Sequence, residues 1–114
     1  YTDYFLSKII TFLKEQPKSY QTTMLYVSDH GESLGEKGIY LHGLPYSFAP
    51  SSQIEVPALL WTSDNSSIDL SKTLLLKDED FSHDAVFDTL LSLFSVKTAL
   101  KPKRKKTLIK LVQQ

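Results

Sequence analysis

The sequence predicts an α/β sandwich, and three observations carry that expectation. A helix, a strand, a long glycine-bearing loop, a second strand and a second helix follow one another, which is the alternation of an α/β layer architecture. Both strand candidates are apolar without clear alternation, as in strands of a parallel sheet covered on both faces. The first strand runs directly into an acid and a histidine, the place where open α/β sheets gather their ligands. Two strands cannot cover two helices and complete a sheet. The pattern therefore predicts that further strands precede this stretch.

The elements follow in order. Thr2 to Glu15 reads as an amphipathic helix, with Leu6, Ile9, Ile10 and Leu13 at helical spacing, Phe5 and Phe12 flanking that stripe, and Asp3, Lys8, Lys14 and Glu15 on the polar side. Pro17 ends it, because the residue before a proline is pushed out of the helical region. Thr22 to Val27 (TTMLYV) is β-branched, aromatic and apolar, and reads as a strand. Ser28 to Ser52 reads as a loop that holds every glycine of the chain, Gly31, Gly35, Gly38 and Gly43, with His30 and His42. A loop of that length in a compact unit is functional or disordered, and its aromatics Tyr40, Tyr46 and Phe48 argue against disorder; they read as packing within the loop, with a lipid-facing groove as the alternative. Val56 to Thr62 (VPALLWT) is the second strand, with Pro57 tolerable near its start. Leu70 to Leu76 is a short apolar element of undetermined type. Ser82 to Phe94 reads as a helix, with Ser82 as N-cap, Asp84 in the first turn, and Val86, Phe87, Leu90, Leu91, Leu93 and Phe94 as its buried face.

Composition bounds the function. The 114 residues are 41% hydrophobic and 23% charged, enough for one compact domain or part of a larger one. Thirteen basic and thirteen acidic residues cancel. The distribution is uneven, because Lys97 to Lys110 carries seven basic residues and no acidic one. Lys101 to Lys106 (KPKRKK) has two readings: a solvated tail, which the composition favours, or a patch that steers the domain toward an anionic membrane or substrate. No aromatic or glycine-rich stretch beside it supports a nucleic-acid partner. There is no cysteine, which excludes a Cys-based metal site and a disulfide framework within this stretch. No run approaches the roughly 18 apolar residues of a membrane span. The sequence opens on Tyr1, not Met, inside a helical pattern, so it reads as an excised fragment, with room for targeting and membrane segments upstream.

The chemistry-bearing residues cluster in Val27-Ser28-Asp29-His30-Gly31-Glu32, with Tyr40-Leu41-His42-Gly43 following. A carboxylate and an imidazole side by side are ordinary zinc ligands, and Gly31 lets the backbone turn sharply after them. The competing reading of Asp29-His30 is a hydrogen-bonded turn at a strand end. Residues alone leave the two readings about even. His83, at a helix start, reads as structural.

The stretch Tyr26 to Pro50 (YVSDHGESLGEKGIYLHGLPYSFAP), then Gln53 and Val56-Pro57, resembles the bacterial lipid A phosphoethanolamine transferases, including those that confer polymyxin resistance. Tyr1 to Phe5 resembles their preceding helix, and Ser82-His83-Asp84 with Phe87 their final one. The likeness covers residues 1–96 and fades in the basic tail, 97–114. The short SDHG string is shared across the wider superfamily of phosphatases, sulfatases and lipoteichoic acid synthases, whereas the longer string is far more specific.

The resemblance implies a three-layer α/β/α sandwich of the alkaline phosphatase and sulfatase type, of which this chain is a C-terminal portion. It implies zinc as cofactor, with Asp29 and His30 as ligands. It places His42 near the transferred phosphate, able also to hold a second zinc, and Glu32 either behind a ligand or on the substrate's amine. The nucleophile it implies is a zinc-activated threonine outside this chain, which takes phosphoethanolamine from phosphatidylethanolamine and passes it to lipid A or a related envelope glycan. It further implies an inner-membrane protein whose catalytic domain faces the periplasm. The alternatives are a sulfatase- or phosphatase-type hydrolase and a metal-binding module without turnover.

Overall fold

A computed structural model describes residues 1–99 and 106–112. The chain divides into two compact units: residues 1–17 with 22–61, and residues 18–21 with 62–114.

The first unit opens with helix α1, Thr2–Lys14. Its inward stripe is the expected one: Leu6 is buried, Ile9, Ile10 and Leu13 are half-buried, and Phe5 and Phe12 stay exposed. Strand β1, Thr23–Val27, pairs with β4, Ala58–Thr62, in a two-stranded sheet. The expected burial on both faces is not reached in this chain. Met24 alone is buried in β1, and Ala58 and Leu59 of β4 are exposed. A two-stranded sheet leaves each strand one unpaired side and too little cover for both faces.

The long connection between these strands is more ordered than a loop. Strands β2 (Ser33–Leu34) and β3 (Tyr40–Leu41) pair antiparallel, with Ser33 opposite Leu41 and Leu34 opposite Tyr40. A short 3₁₀ turn at Glu36–Gly38 joins them, and the Leu34 N–H donates to Glu36 Oε2 at 2.8 Å. A one-turn helix α2, Ser51–Ile54, precedes β4. Tyr40, Tyr46 and Phe48 are 70%, 81% and 76% exposed, so they are not buried by the loop, although the Tyr40 ring lies close to Gly35. The side chains that do fill it are polar: Ser33 and Gln53 are its buried residues.

The second unit is built on Ile68, Ala85, Thr89 and Ile109, all buried. The undetermined apolar stretch is helix α3, Leu70–Leu74, N-capped by Asp69, whose Oδ1 accepts the Lys72 N–H at 3.0 Å. Helix α4 runs Asp84–Leu93. It begins after Ser82, which contributes its carbonyl to the Ala85 N–H (3.0 Å) rather than a side-chain cap. Its buried face also differs from the expected one. Ala85, Asp88 and Thr89 are buried, while Phe87, Leu90 and Phe94 are 55%, 42% and 76% exposed.

The reason is the C-terminal segment. Residues 107–112 return against α3 and α4: Leu108 N–H donates to Thr89 Oγ1 (2.9 Å), Lys110 N–H to Thr73 Oγ1 (2.9 Å), and Ile68 bridges Leu111 antiparallel. A backbone laid along a helix needs small and hydroxyl-bearing neighbours, which the 85/88/89 face supplies and the 87/90/94 face does not. Of the basic run, residues 101–105 lie outside the described residues. Lys106 is tied down, 3.6 Å from Glu79, over the Phe81 ring at 4.4 Å, and hydrogen-bonded to the Asp80 carbonyl.

Candidate functional site

β1 ends at Val27, and the chain then folds into a tight turn held by its own polar groups. Ser28 Oγ donates to the His30 carbonyl at 2.8 Å, and Asp29 Oδ1 accepts the His30 N–H at 3.1 Å. The hydrogen-bonded turn is therefore present. It leaves both side chains available, because Asp29 spends one carboxylate oxygen on the backbone and His30 none of its ring on Asp29 at hydrogen-bonding distance.

The His30 ring is oriented by its own chain. Nδ1 lies 2.8 Å from the Gly31 carbonyl, which can only accept, so Nδ1 carries the proton and Nε2 presents its lone pair. A ligating histidine is set in this way, its second nitrogen donating to a backbone carbonyl. Gly31 itself is enclosed. Its N–H donates to the Gln53 carbonyl at 2.9 Å, and a Cβ placed on it would lie 2.0 Å from the Ser52 carbonyl oxygen.

His42 comes to the same place by way of the β2–β3 hairpin. Its ring stacks on His30 with centroids 3.9 Å apart and planes at 26°. Its Nδ1 lies 3.2 Å from Glu32 Oε2. His30, Glu32 and His42 each offer a ligand atom within 4.8 Å of the others, so these three can hold a metal ion. Two imidazoles and a carboxylate suit a borderline-soft divalent cation such as zinc, and all three side chains are accessible. Asp29 stands at the margin. Its Oδ2 is 3.8 Å from His30 Nε2 and its side chain is 89% exposed, and it is not in the group of three. His83 is the N-cap residue of α4 and is not a member of that group.

Behind the group lies Gln53, 5% exposed. Its Nε2 donates to Ser33 Oγ at 2.9 Å and to the Leu41 carbonyl at 3.0 Å. Ser33 Oγ lies 3.3 Å from Ser52 Oγ. Leu41, which precedes His42, has φ 66°, a left-handed conformation costly for a residue with a Cβ. Nothing in the sequence marks Gln53 as buried or Leu41 as left-handed, since the one reads as a surface amide and the other as a loop apolar residue.

The Sulfatase family model matches residues 1–96. The chain belongs to the Sulfatase family. It is 48% identical over 103 residues to phosphoethanolamine transferase EptA of Escherichia coli (strain K12), across 86% of this chain and 19% of that protein. It is 47% identical over 109 residues to phosphatidylethanolamine transferase Mcr-1 of Escherichia coli, across 96% of this chain and 19% of that protein. Among solved structures it is similar to the C-terminal periplasmic domain of phosphoethanolamine transferase EptC from Campylobacter jejuni, with TM-score 0.78 and 52% identity, over 86% of this chain and 31% of that one.

The expected α/β fold of the alkaline phosphatase and sulfatase type, and the likeness to phosphoethanolamine transferases, are thus borne out. This sulfatase-family chain spans about a fifth of the length of the curated relatives it matches. Among its described residues no helix is long and apolar enough to cross a membrane.

Proposed function

We propose that the protein containing this chain transfers phosphoethanolamine from phosphatidylethanolamine to lipid A or a related envelope glycan, as a zinc-dependent enzyme of the inner membrane whose catalytic domain faces the periplasm. The meeting of His30, Glu32 and His42 just beyond β1, in a chain of this family, carries the reading.

In this proposal Asp29 and His30 are metal ligands, and His42, near the transferred phosphate, can also hold a second zinc. Bound zinc supplies a Lewis acid that makes a hydroxyl nucleophilic at neutral pH and stabilises charge on phosphoryl oxygens. The nucleophilic threonine lies outside this chain. His30 presents Nε2 because the Gly31 carbonyl holds its Nδ1 proton. His42 donates from its ring to a phosphoryl oxygen, an interaction that strengthens as negative charge builds in the transition state. Glu32 accepts from His42 Nδ1 and so fixes the ring with Nε2 facing the substrate. The carboxylate also attracts the ammonium end of the ethanolamine group.

The test is mass spectrometry of lipid A from cells expressing the protein, the His30→Ala variant or the His42→Ala variant. A mass gain of one phosphoethanolamine group with the wild type, absent with His30→Ala, supports transfer and the ligand role. Unmodified lipid A together with release of free phosphoethanolamine would replace transfer by hydrolysis.

A further inference from the structure

Besides the helical bond from its N–H to the Pro50 carbonyl, Gln53 makes three hydrogen bonds, and each reaches the immediate neighbour of one member of the candidate metal group. Its carbonyl accepts the Gly31 N–H, next to His30. Its side-chain amide reaches Ser33 Oγ, next to Glu32, and the Leu41 carbonyl, next to His42. We propose that Gln53 is a positioning residue that braces His30, Glu32 and His42 into a single group, chiefly by clamping the left-handed joint at Leu41 from which His42 departs. This rests on the reading of these three residues as a metal and phosphoryl site.

The chemistry favours a brace over a filler. The Leu41 carbonyl can only accept, so the amide nitrogen must face it, and the orientation of Gln53 follows. Ser33 Oγ, taking one bond from that nitrogen, also lies 3.3 Å from the hydroxyl of Ser52, the neighbour of Gln53 in α2. Gln53 Oε1 is buried and has no partner among the described residues. An apolar side chain of similar length would fill the space without that cost, so the residue's use lies in its two donated bonds. One of these holds a backbone conformation that a leucine resists. The apolar Leu41 side chain is itself 69% exposed, so packing does not hold the joint in its place.

The experiment measures zinc chloride affinity by calorimetry, and the His30–His42 ring contact by NMR, in the wild-type protein and in Gln53→Met, Leu41→Gly and the double variant. Glycine adopts a positive φ without strain, so Leu41→Gly should make the joint independent of the clamp. The expected result is a loss of zinc affinity of about 10–100-fold in Gln53→Met with loss of the ring contact, since partners behind metal ligands carry effects of that size. Leu41→Gly alone should match the wild type, and the double variant should recover most of the loss.

Rescue by glycine separates positioning from bulk stability, which the added backbone freedom of a glycine does not restore. Where Gln53→Met lowers the folded fraction, Gln53→Asn, an amide one methylene short of Leu41, should show the same loss of ring contact in a folded protein. Wild-type affinity and ring contact in Gln53→Met, or a double variant as weak as the single one, would overturn the proposal. A wild type that takes no zinc at these residues but loses its ring contact in Gln53→Met would support the brace and remove the metal reading.

Discussion

The rings of His30 and His42 stack at 3.9 Å although they arrive on different elements, one from the end of β1 and the other from the β2–β3 hairpin. Each ring has its own Nδ1 partner, the Gly31 carbonyl and Glu32 Oε2. Two imidazoles in that contact can share one cation. Zinc chloride should therefore bind the wild-type protein at this pair. His30→Ala should weaken zinc by on the order of 100-fold or more, since even partners behind ligands account for 10–100-fold. Glu32→Gln should weaken it less, because the amide oxygen still reaches His42. Calorimetry measures the affinity of each variant.

Gly31 permits no side chain. The Cβ of an alanine there would meet the Ser52 carbonyl oxygen at 2.0 Å and the Gln53 Cα at 3.1 Å, both backbone atoms. Relief requires α2 to move away, which breaks the 2.9 Å bond from Gly31 N–H to the Gln53 carbonyl. Gly31→Ala is expected to cost about 3 kcal/mol, at the upper end for overpacking. It should also weaken zinc binding, because His30 borrows its orientation from the Gly31 carbonyl. Urea unfolding with far-ultraviolet circular dichroism checks the first effect. A midpoint equal to that of the wild type would contradict the geometry.

How much of this was legible in the sequence depended on the range of the interactions. The stripe Leu6, Ile9, Ile10 and Leu13 is a local pattern, and α1 follows it. The apolar run TMLYV is local too, and β1 occupies it. Hydrophobicity points to Phe87 and Leu90 as the inner face of α4, whereas the buried side is set by a backbone segment some twenty residues on, which hydrogen-bonds to Thr89. Asp29, His30, Glu32 and His42 stood out by type. Their arrangement did not, since His42 reaches His30 only through a hairpin two residues deep per strand. Gln53 was invisible as a brace because its partners lie twelve and twenty residues away.

Asp69 ties α3 to the solvent pH. Hydrogen bonds from Ser71 Oγ, from the Lys72 N–H and from the Lys72 side chain hold its carboxyl down at about 2, against an ordinary 3.8. A carboxylate depressed on folding stabilises the native state above its unfolded value. That stabilisation should be complete above about pH 5, and it should be lost as pH falls from about 4 through about 2. Asp69→Asn, which keeps an acceptor at the cap but removes the titrating proton, should flatten this part of the stability curve. Chemical-shift titration of the Asp69 carboxyl carbon gives the value directly, and an inflection near 4 would contradict the bonding seen here.

Thr89 holds the returning segment to α4 through one oxygen. Its Oγ1 donates to the Ala85 carbonyl at 2.6 Å and accepts the Leu108 N–H at 2.9 Å, and the residue is fully buried. Valine has nearly the same shape and neither function. Thr89→Val would leave the Leu108 N–H without its acceptor, at an expected cost of about 2 kcal/mol, within the range for a stranded donor. Thr89→Ser keeps the oxygen and removes a methyl, so it should cost about 1 kcal/mol through packing. Hydrogen exchange separates the two. The Leu108 amide should lose protection in Thr89→Val and retain it in Thr89→Ser, whereas equal protection in both would mean that Ile109, 1% exposed, anchors the segment by itself.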